Sequence, residues 1–226
     1  MIRQDYILRM IEEFIRLLSR ISSLKSGQLW QQAGEVIDDE FERMVGTGAQ
    51  AVLQMSDTEL LAKVIQGEPT QAVHYKIRML STLLHEAGDV AMAQDRTEEG
   101  QACYLKGLNL LLGSLEASDT PAFPDFVPTV EAFVIALKGV ALPLATQARL
   151  MQHYESVEAF ARAEDMLASM LEAAPNEPRL LELGIAFYRR LASRSDSALR
   201  AGNLPRAEVN EALTDLERRK SALVPS

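Results

Sequence analysis

Apolar residues recur at spacings of three and four along the chain, and no useful stretch alternates apolar with polar. The first pattern puts a stripe on one side of a helix, whereas the second would build strands. About ten helices and no sheet follow. The spacing predicts helices over residues 2–22, 28–45, 57–65, 70–93, 97–112, 127–137, 144–154, 157–173, 178–201 and 204–221. Ser26-Gly27, Gly46-Thr47-Gly48 and Gly67 with Pro69 punctuate them, and Ser56 or Asp57 caps the third, with Glu59 in its first turn. Residues 113–128 hold Gly113, Pro121, Pro124 and Pro128 with Phe123 and Phe126, and are the expected boundary or extended loop. The end, Leu223-Val224-Pro225-Ser226, is expected to fray.

The first helix carries a wider apolar stripe than one surface helix needs, from Tyr6 and Ile7 through Met10, Ile11, Phe14 and Ile15 to Leu17, Leu18 and Ile21. Such a stripe is expected to be covered on two sides. The second cover belongs either to this chain or to a second copy. In the second case Tyr6, Met10, Phe14, Leu17 and Ile21 form a dimer face.

A second periodicity overlies the helical one. Leu150, Met151, Tyr154, Phe160, Ala163, Leu167, Leu171 and Pro175 follow one another at helix-pair spacing within a unit of about 34 residues. An earlier copy reads Leu84, Ala87, Gly88 and Ala91, then Gly100, Tyr104, Gly107 and Leu108. A glycine inside a helix costs about 1 kcal/mol relative to alanine, so Gly88 and Gly100 are expected where two helices cross closely. A third copy opens with Leu180, Leu183, Gly184 and Phe187. It then carries about eleven extra residues before Gly202, Leu204 and Ala207 resume the pattern. Read as an insertion of about three turns, these extra residues predict a lengthened first helix.

These positions, over residues 81–113 and 144–217, resemble the tetratricopeptide repeat. There are departures: Leu112 stands where the family prefers Pro, Gln147 in a bulky position, and Met151 in a small one. The resemblance implies an all-α fold of antiparallel helix pairs stacked as a right-handed solenoid over residues 69–226, behind an N-terminal helical cap over residues 1–68. In the repeat register His85, Asp89, Met92, Gln152, Glu155, Tyr188 and Arg189 line a concave groove. Members of that family that clamp a chaperone's C-terminal carboxylate place Lys and Asn where this chain has His85 and Asp89, so that clamp is not expected. The groove would suit a helix or an extended peptide, unless the N-terminal helices of this chain fill it. The opening Gln4-Asp5-Tyr6-Ile7-Leu8-Arg9-Met10-Ile11-Glu12 also resembles the start of an uncharacterised family of bacterial helical proteins.

Charge narrows the partner class. A formal net charge of −9 argues against a general nucleic-acid binder, which needs a basic surface; Arg189, Arg190, Arg194 and Arg200 read as a solvated helix face. One cysteine, Cys103, excludes an internal disulfide and is expected to be buried and inert. With charges at Asp5, Arg9, Glu12, Glu13 and Arg16, the opening is not expected to be a signal peptide, and no apolar run of about 18 residues suggests a bilayer span. The cytoplasm is the expected location.

Candidate chemistry is sparse. His85, Glu86 and Asp89 come nearest, since His85 and Asp89 share a helix face at i and i+4, but Asp89 stands where a zinc protease would have its second histidine. His74 and His153 are isolated. No Gly-rich phosphate loop, nucleophile elbow or CxxC pair occurs. The expected function is a protein–protein interaction or scaffolding module with no catalysis, no metal and no cofactor. A structural homodimer assembled through the first helix is the alternative, and a metal-dependent enzyme a distant third.

Overall fold

A computed structural model of the chain describes residues 2–66, 68, 70–115 and 125–223. Among these residues twelve helices form and no strand does. Packing divides the chain into two compact units, Met1–Ala141 and Leu142–Ser226. Gly67, Pro69, Pro121, Phe123, Pro124 and residues 224–226, expected as breaks or as a frayed end, lie outside the described residues.

The first unit holds α1 (Ile2–Ser26), α2 (Trp30–Val45), α3 (Ala49–Gln54), α4 (Asp57–Ile65), α5 (Thr70–Ala93), α6 (Thr97–Leu115) and α7 (Val130–Ala136). The hairpin of α5 and α6 is its spine, and α1, α2 and α4 pack on α5. Ile21, Ile37, Phe41, Val52, Leu60, Leu80 and Leu84 meet in the main core. Burying each such side chain contributes about 1.5–3 kcal/mol. In a smaller cluster Phe14 packs with Met10 and Met79, and its ring lies 5.3 Å from that of Phe126.

The wide stripe on α1 is therefore covered by its own chain. Phe14 and Ile21 are fully buried and Met10 nearly so, while Leu17 packs against both clusters. Of the five residues expected as a dimer face, only Tyr6 is exposed, and its hydroxyl donates to the Glu68 carboxylate at 3.2 Å. Besides Tyr6, the large apolar side chains left exposed among the described residues of α1 are Leu8 and Ile15, at 53% and 46%.

Close helix crossings follow the predicted glycines. A methyl on Gly88 would fall 2.5 Å from Cε1 of Tyr104, and one on Gly107 2.7 Å from Cε1 of Phe133. The Ser81 hydroxyl donates to the Gly107 carbonyl at 2.8 Å, which satisfies a polar pair inside the α5–α6 contact. With no proline to stop it, α6 runs past Leu112 to Leu115.

The second unit holds α8 (Leu144–Ser156), α9 (Phe160–Ala173), α10 (Pro178–Ala192), α11 (Asp196–Ala201) and α12 (Arg206–Ala222). Here α8 packs on α9 and α10 on α12, around Leu150, Tyr154, Phe160, Leu167, Phe187 and Leu199. The insertion in the third copy does not lengthen its first helix as expected. Instead, α10 stops at Ala192, and Ser195 accepts a hydrogen bond from the Ala198 amide to cap a separate helix, α11, with Asp196 in its first turn. Arg206 secures the break, donating to the Ala192 carbonyl at 2.7 Å and to Asp196 at 2.5 Å.

One corner recurs four times. After α1, α5, α8 and α11 the chain turns through a residue in the left-handed region: Gln28, Asp95, Glu158 and Asn203, with φ of 56°, 60°, 59° and 57°. At each, the next amide bonds back five residues, Leu29 to Leu24, Arg96 to Ala91, Ala159 to Tyr154 and Leu204 to Leu199, at 2.8–3.0 Å. This is the Schellman arrangement, which satisfies carbonyls left open at a helix end. None of the four residues is glycine, the usual occupant.

Candidate functional site

The nearest approach to a chemical centre is built on α5. His85, Glu86 and Asp89 can bring one ligand atom each within 4.8 Å of one another, as their i, i+1, i+4 spacing allows. A cation already stands there, and it belongs to the protein. Lys25, in the last turn of α1, places Nζ 2.7 Å from Glu86 and 2.5 Å from Asp89. The Tyr104 hydroxyl donates to the other Asp89 oxygen at 2.7 Å.

The electrostatics fit an internal network. Burial pushes the Lys25 ammonium down, but its bonds to Asp89 and Glu86 prevail and hold its pKa above the ordinary value. Burial pushes the Tyr104 phenol up, and its bond to Asp89 adds to that. His85 lies edge-on to Phe133 at 5.0 Å and against Tyr104 at 5.3 Å. Burial holds its imidazole below the ordinary value, although Asp89, 3.8 Å away, opposes that. Glu86 and Asp89 thus tie α1 to the α5–α6 hairpin, and Lys25 supplies the charge a metal would bring. Cys103 is buried on α6, and desolvation pushes its thiol up to about 12, far from a reactive thiolate.

The expected groove residues fall in both units. In the first unit His85 and Asp89 are held in the Lys25 network. Met92 is partly exposed and folds over Gly100, where a methyl would meet its sulfur at 2.7 Å. In the second unit Gln152 is exposed, and Glu155 pairs with Arg190 through two bonds of 2.7 Å. Arg189 turns instead to Glu217 on α12, at 2.6 Å. Tyr188, expected on an open face, is buried with 5% exposure and donates to Glu164 on α9 at 2.6 Å. Successive residues point about 100° apart on a helix, so Arg190 meets α8 while Arg189 meets α12. Of the four arginines read as a solvated face, Arg189, Arg190 and Arg194 each meet a carboxylate.

Open space lies elsewhere. In the first unit a groove of about 540 Å³ runs between α2 and α5, reaching the starts of α3 and α6. Its α5 wall is Ala87 and Val90, with Gln94 just past the end of that helix, and Ala87 and Val90 lie away from His85 and Asp89 on the helix wheel. Gln31, Glu35 and Asp38 line the α2 wall, with Gln50, Arg96 and Glu99 at the ends. Asp38 is partly engaged, accepting the Ala49 amide at 2.7 Å and so capping α3. Smaller than this groove, a cavity of about 200 Å³ between α1, α2 and α5 is lined by Met10, Met44 and Met79 with Arg9, Arg43 and Lys76. There Arg43 is bound to Glu40 and Lys76 to Glu68, each at 2.6 Å. In the second unit a shallow hollow of about 460 Å³ lies between α9 and α12 over Tyr188, with Leu167, Leu171 and Leu216 in its walls.

Sequence reasoning missed Lys25, whose partners lie 61 and 64 residues away, and it missed the α2 side of α5. The signal for the latter was present in Ala87, Val90 and Gln94, three residues with no large apolar side chain among them. Among the described residues no helix is long and apolar enough to cross a membrane.

Residues 1–221 match the model of a family of unknown function (DUF6483), and the chain belongs to that family. No curated protein and no solved structure matches it.

Proposed function

We propose that the chain is a non-catalytic protein-binding scaffold of the cytoplasm, whose helix pairs α5–α6, α8–α9 and α10–α12 stack in the right-handed sense of tetratricopeptide repeats. The recurring left-handed corner and the glycines at close crossings support that arrangement. The observation that carries the binding role is the 540 Å³ groove between α2 and α5. Its walls mix amide and carboxylate side chains over a small apolar floor, as surfaces that take a peptide do.

The test blocks that groove. Wild type and the double variant Gln50→Trp, Gln94→Trp are used as baits, and each enriched protein is then purified and titrated against both. The reading expects a protein that binds wild type and loses at least about tenfold in affinity, or 1.4 kcal/mol, on the variant. It fails if every bound protein binds the two forms equally.

A second reading, a homodimer through α1, draws on Leu8 and Ile15, which lie two turns apart on the exposed side of that helix. Light scattering across a dilution series separates the readings. A dimer dispersed by Leu8→Glu with Ile15→Glu favours the second, and a monomer at every concentration removes it.

A further inference from the structure

The glycines inside helices are of two kinds. Gly88, Gly100, Gly107 and Gly184 answer to their own neighbours, because a methyl on each would come within 2.5–2.7 Å of a side chain. Gly34, in the second turn of α2, and Gly113, near the end of α6, do not; of these two only Gly34 lines a groove. A methyl on Gly34 would find Val90 Cγ1 at 3.7 Å, an ordinary contact, and nothing closer. Glycine is unfavourable in a helix relative to alanine, and here the interior gains nothing from it. Gly34 lines the α2–α5 groove. A bare backbone in a groove wall permits close approach from outside.

Three further observations fix what approaches. First, the floor beside Gly34 is shallow, made by Ile37, Ala49, Ala87 and Val90, and offers no deep slot for an aromatic anchor. Second, glutamine amides stand on both sides, Gln31 and Gln50 facing Gln94 across the groove; such groups pair with a main chain. A helix would present side chains to Gly34, whereas an extended segment presents its backbone. Third, the charge is one-sided. Glu35, Asp38 and Glu99 face the groove against Arg96 alone. Arg96 pairs with Glu99 and Gln94, which leaves an excess of two carboxylates, Glu35 beside the Gln31 amide and Asp38 at the start of α3. The imbalance extends to the whole unit: residues 1–141 hold 12 basic and 20 acidic residues, against 11 and 12 in residues 142–226.

We propose that the α2–α5 groove takes an extended, positively charged segment of a partner protein, with the segment's main chain crossing Gly34. The proposal rests on the binding-scaffold reading above and specifies its ligand. The glutamines hold the segment's backbone, and lysine or arginine side chains on it meet Glu35 and Asp38.

The probe is an array of ten-residue peptides of varied charge and sequence, read with the full-length chain. The best binders are then measured by fluorescence anisotropy at an ionic strength of about 0.15 M. The proposal expects those binders to be cationic, with small residues at their centre. It expects Gly34→Leu to weaken them about tenfold or more, although no charge has changed, and Glu35→Lys to weaken them too. Gly34→Ala should raise the melting temperature and Gly34→Leu should not lower it, which shows that lost binding is not lost folding. Cationic peptides that bind Gly34→Leu as well as wild type overturn the proposal, because they would be held by net charge alone. Binders that are acidic, or that bind only as helices, overturn it while leaving the scaffold reading intact. So does a self-association that Gly34→Leu dissolves, which would make a second copy the occupant. No peptide binding, with the blocked bait retaining every partner, ends both.

Discussion

The ring of Tyr104 lies across Gly88, so near that a methyl on the glycine would sit 2.5 Å from Cε1. The same ring turns its hydroxyl to Asp89, one residue further along α5. Tyr104 therefore cannot move aside without giving up a bond to a carboxylate. Gly88→Ala is expected to destabilise the chain by about 1–3 kcal/mol, the usual cost of overpacking, despite alanine's better helix propensity. Urea unfolding of the two forms measures it.

Lys25→Met removes the ammonium shared by Glu86 and Asp89 and keeps the bulk of the stem. Two partly buried carboxylates then lose their main partner, at an expected cost of about 1.5–3 kcal/mol near neutral pH. The pH dependence has a definite sign. The folded pKa of Lys25 is raised, so its contribution is complete below the ordinary value of 10.5 and is lost as pH climbs through the higher folded value. The gap between wild type and variant should stay wide from neutral pH to about 10 and narrow above it. Chemical unfolding at a series of pH values checks this against Glu86, Asp89, His85 and Tyr104, the titratable groups that face Lys25.

Tyr188→Phe leaves the Glu164 carboxylate without its donor. Burial already pushes that carboxyl up, helped by Glu208 and Asp165, and Tyr188 is what holds it down. The variant is expected to lose about 1.5–3 kcal/mol at pH 7. As pH falls through the raised pKa the carboxyl takes a proton in both forms, and the loss should shrink. A difference that does not change between pH 7 and about pH 4 would contradict the assignment.

The four corners give a prediction of opposite sign. Gln28 and Glu158 sit in the left-handed region without the short polar side chain that eases Asp and Asn into it. Gln28→Gly and Glu158→Gly are each expected to stabilise by up to about 1 kcal/mol. Asp95→Gly and Asn203→Gly should give less. Melting temperatures of the four variants, ranked, decide it.

Much of this fold was legible because its signals are local. The stripe over residues 70–93 became α5, Thr70–Ala93. Ser56 and Glu59 became a full capping box on α4. What escaped depends on residues far apart in the chain. The short helix α3 has no cap of its own and begins where Asp38, eleven residues earlier, accepts the Ala49 amide. The break between α10 and α11 did have a local signal in Ser195-Asp196, but the repeat pattern overrode it. The candidate site shows the same divide. His85, Glu86 and Asp89 were visible as a cluster, whereas Lys25, which fixes what the cluster does, lies on another helix. The open space between α2 and α5 was not foreseen, because the repeat register carries no information about the helices packed against that side of α5.

The buried thiol of Cys103 has a practical consequence. With no other cysteine in the chain, a reagent that attacks thiolates should find almost nothing to label while α6 stays packed. Labelling of the unaltered protein then becomes a clock for the opening of the first unit, read at one atom. A cysteine introduced on the exposed side, at Gln50 for instance, would react much faster and could carry a dye alone. The same molecule would then report occupancy at its surface and unfolding at its centre, on timescales far enough apart to be told from each other.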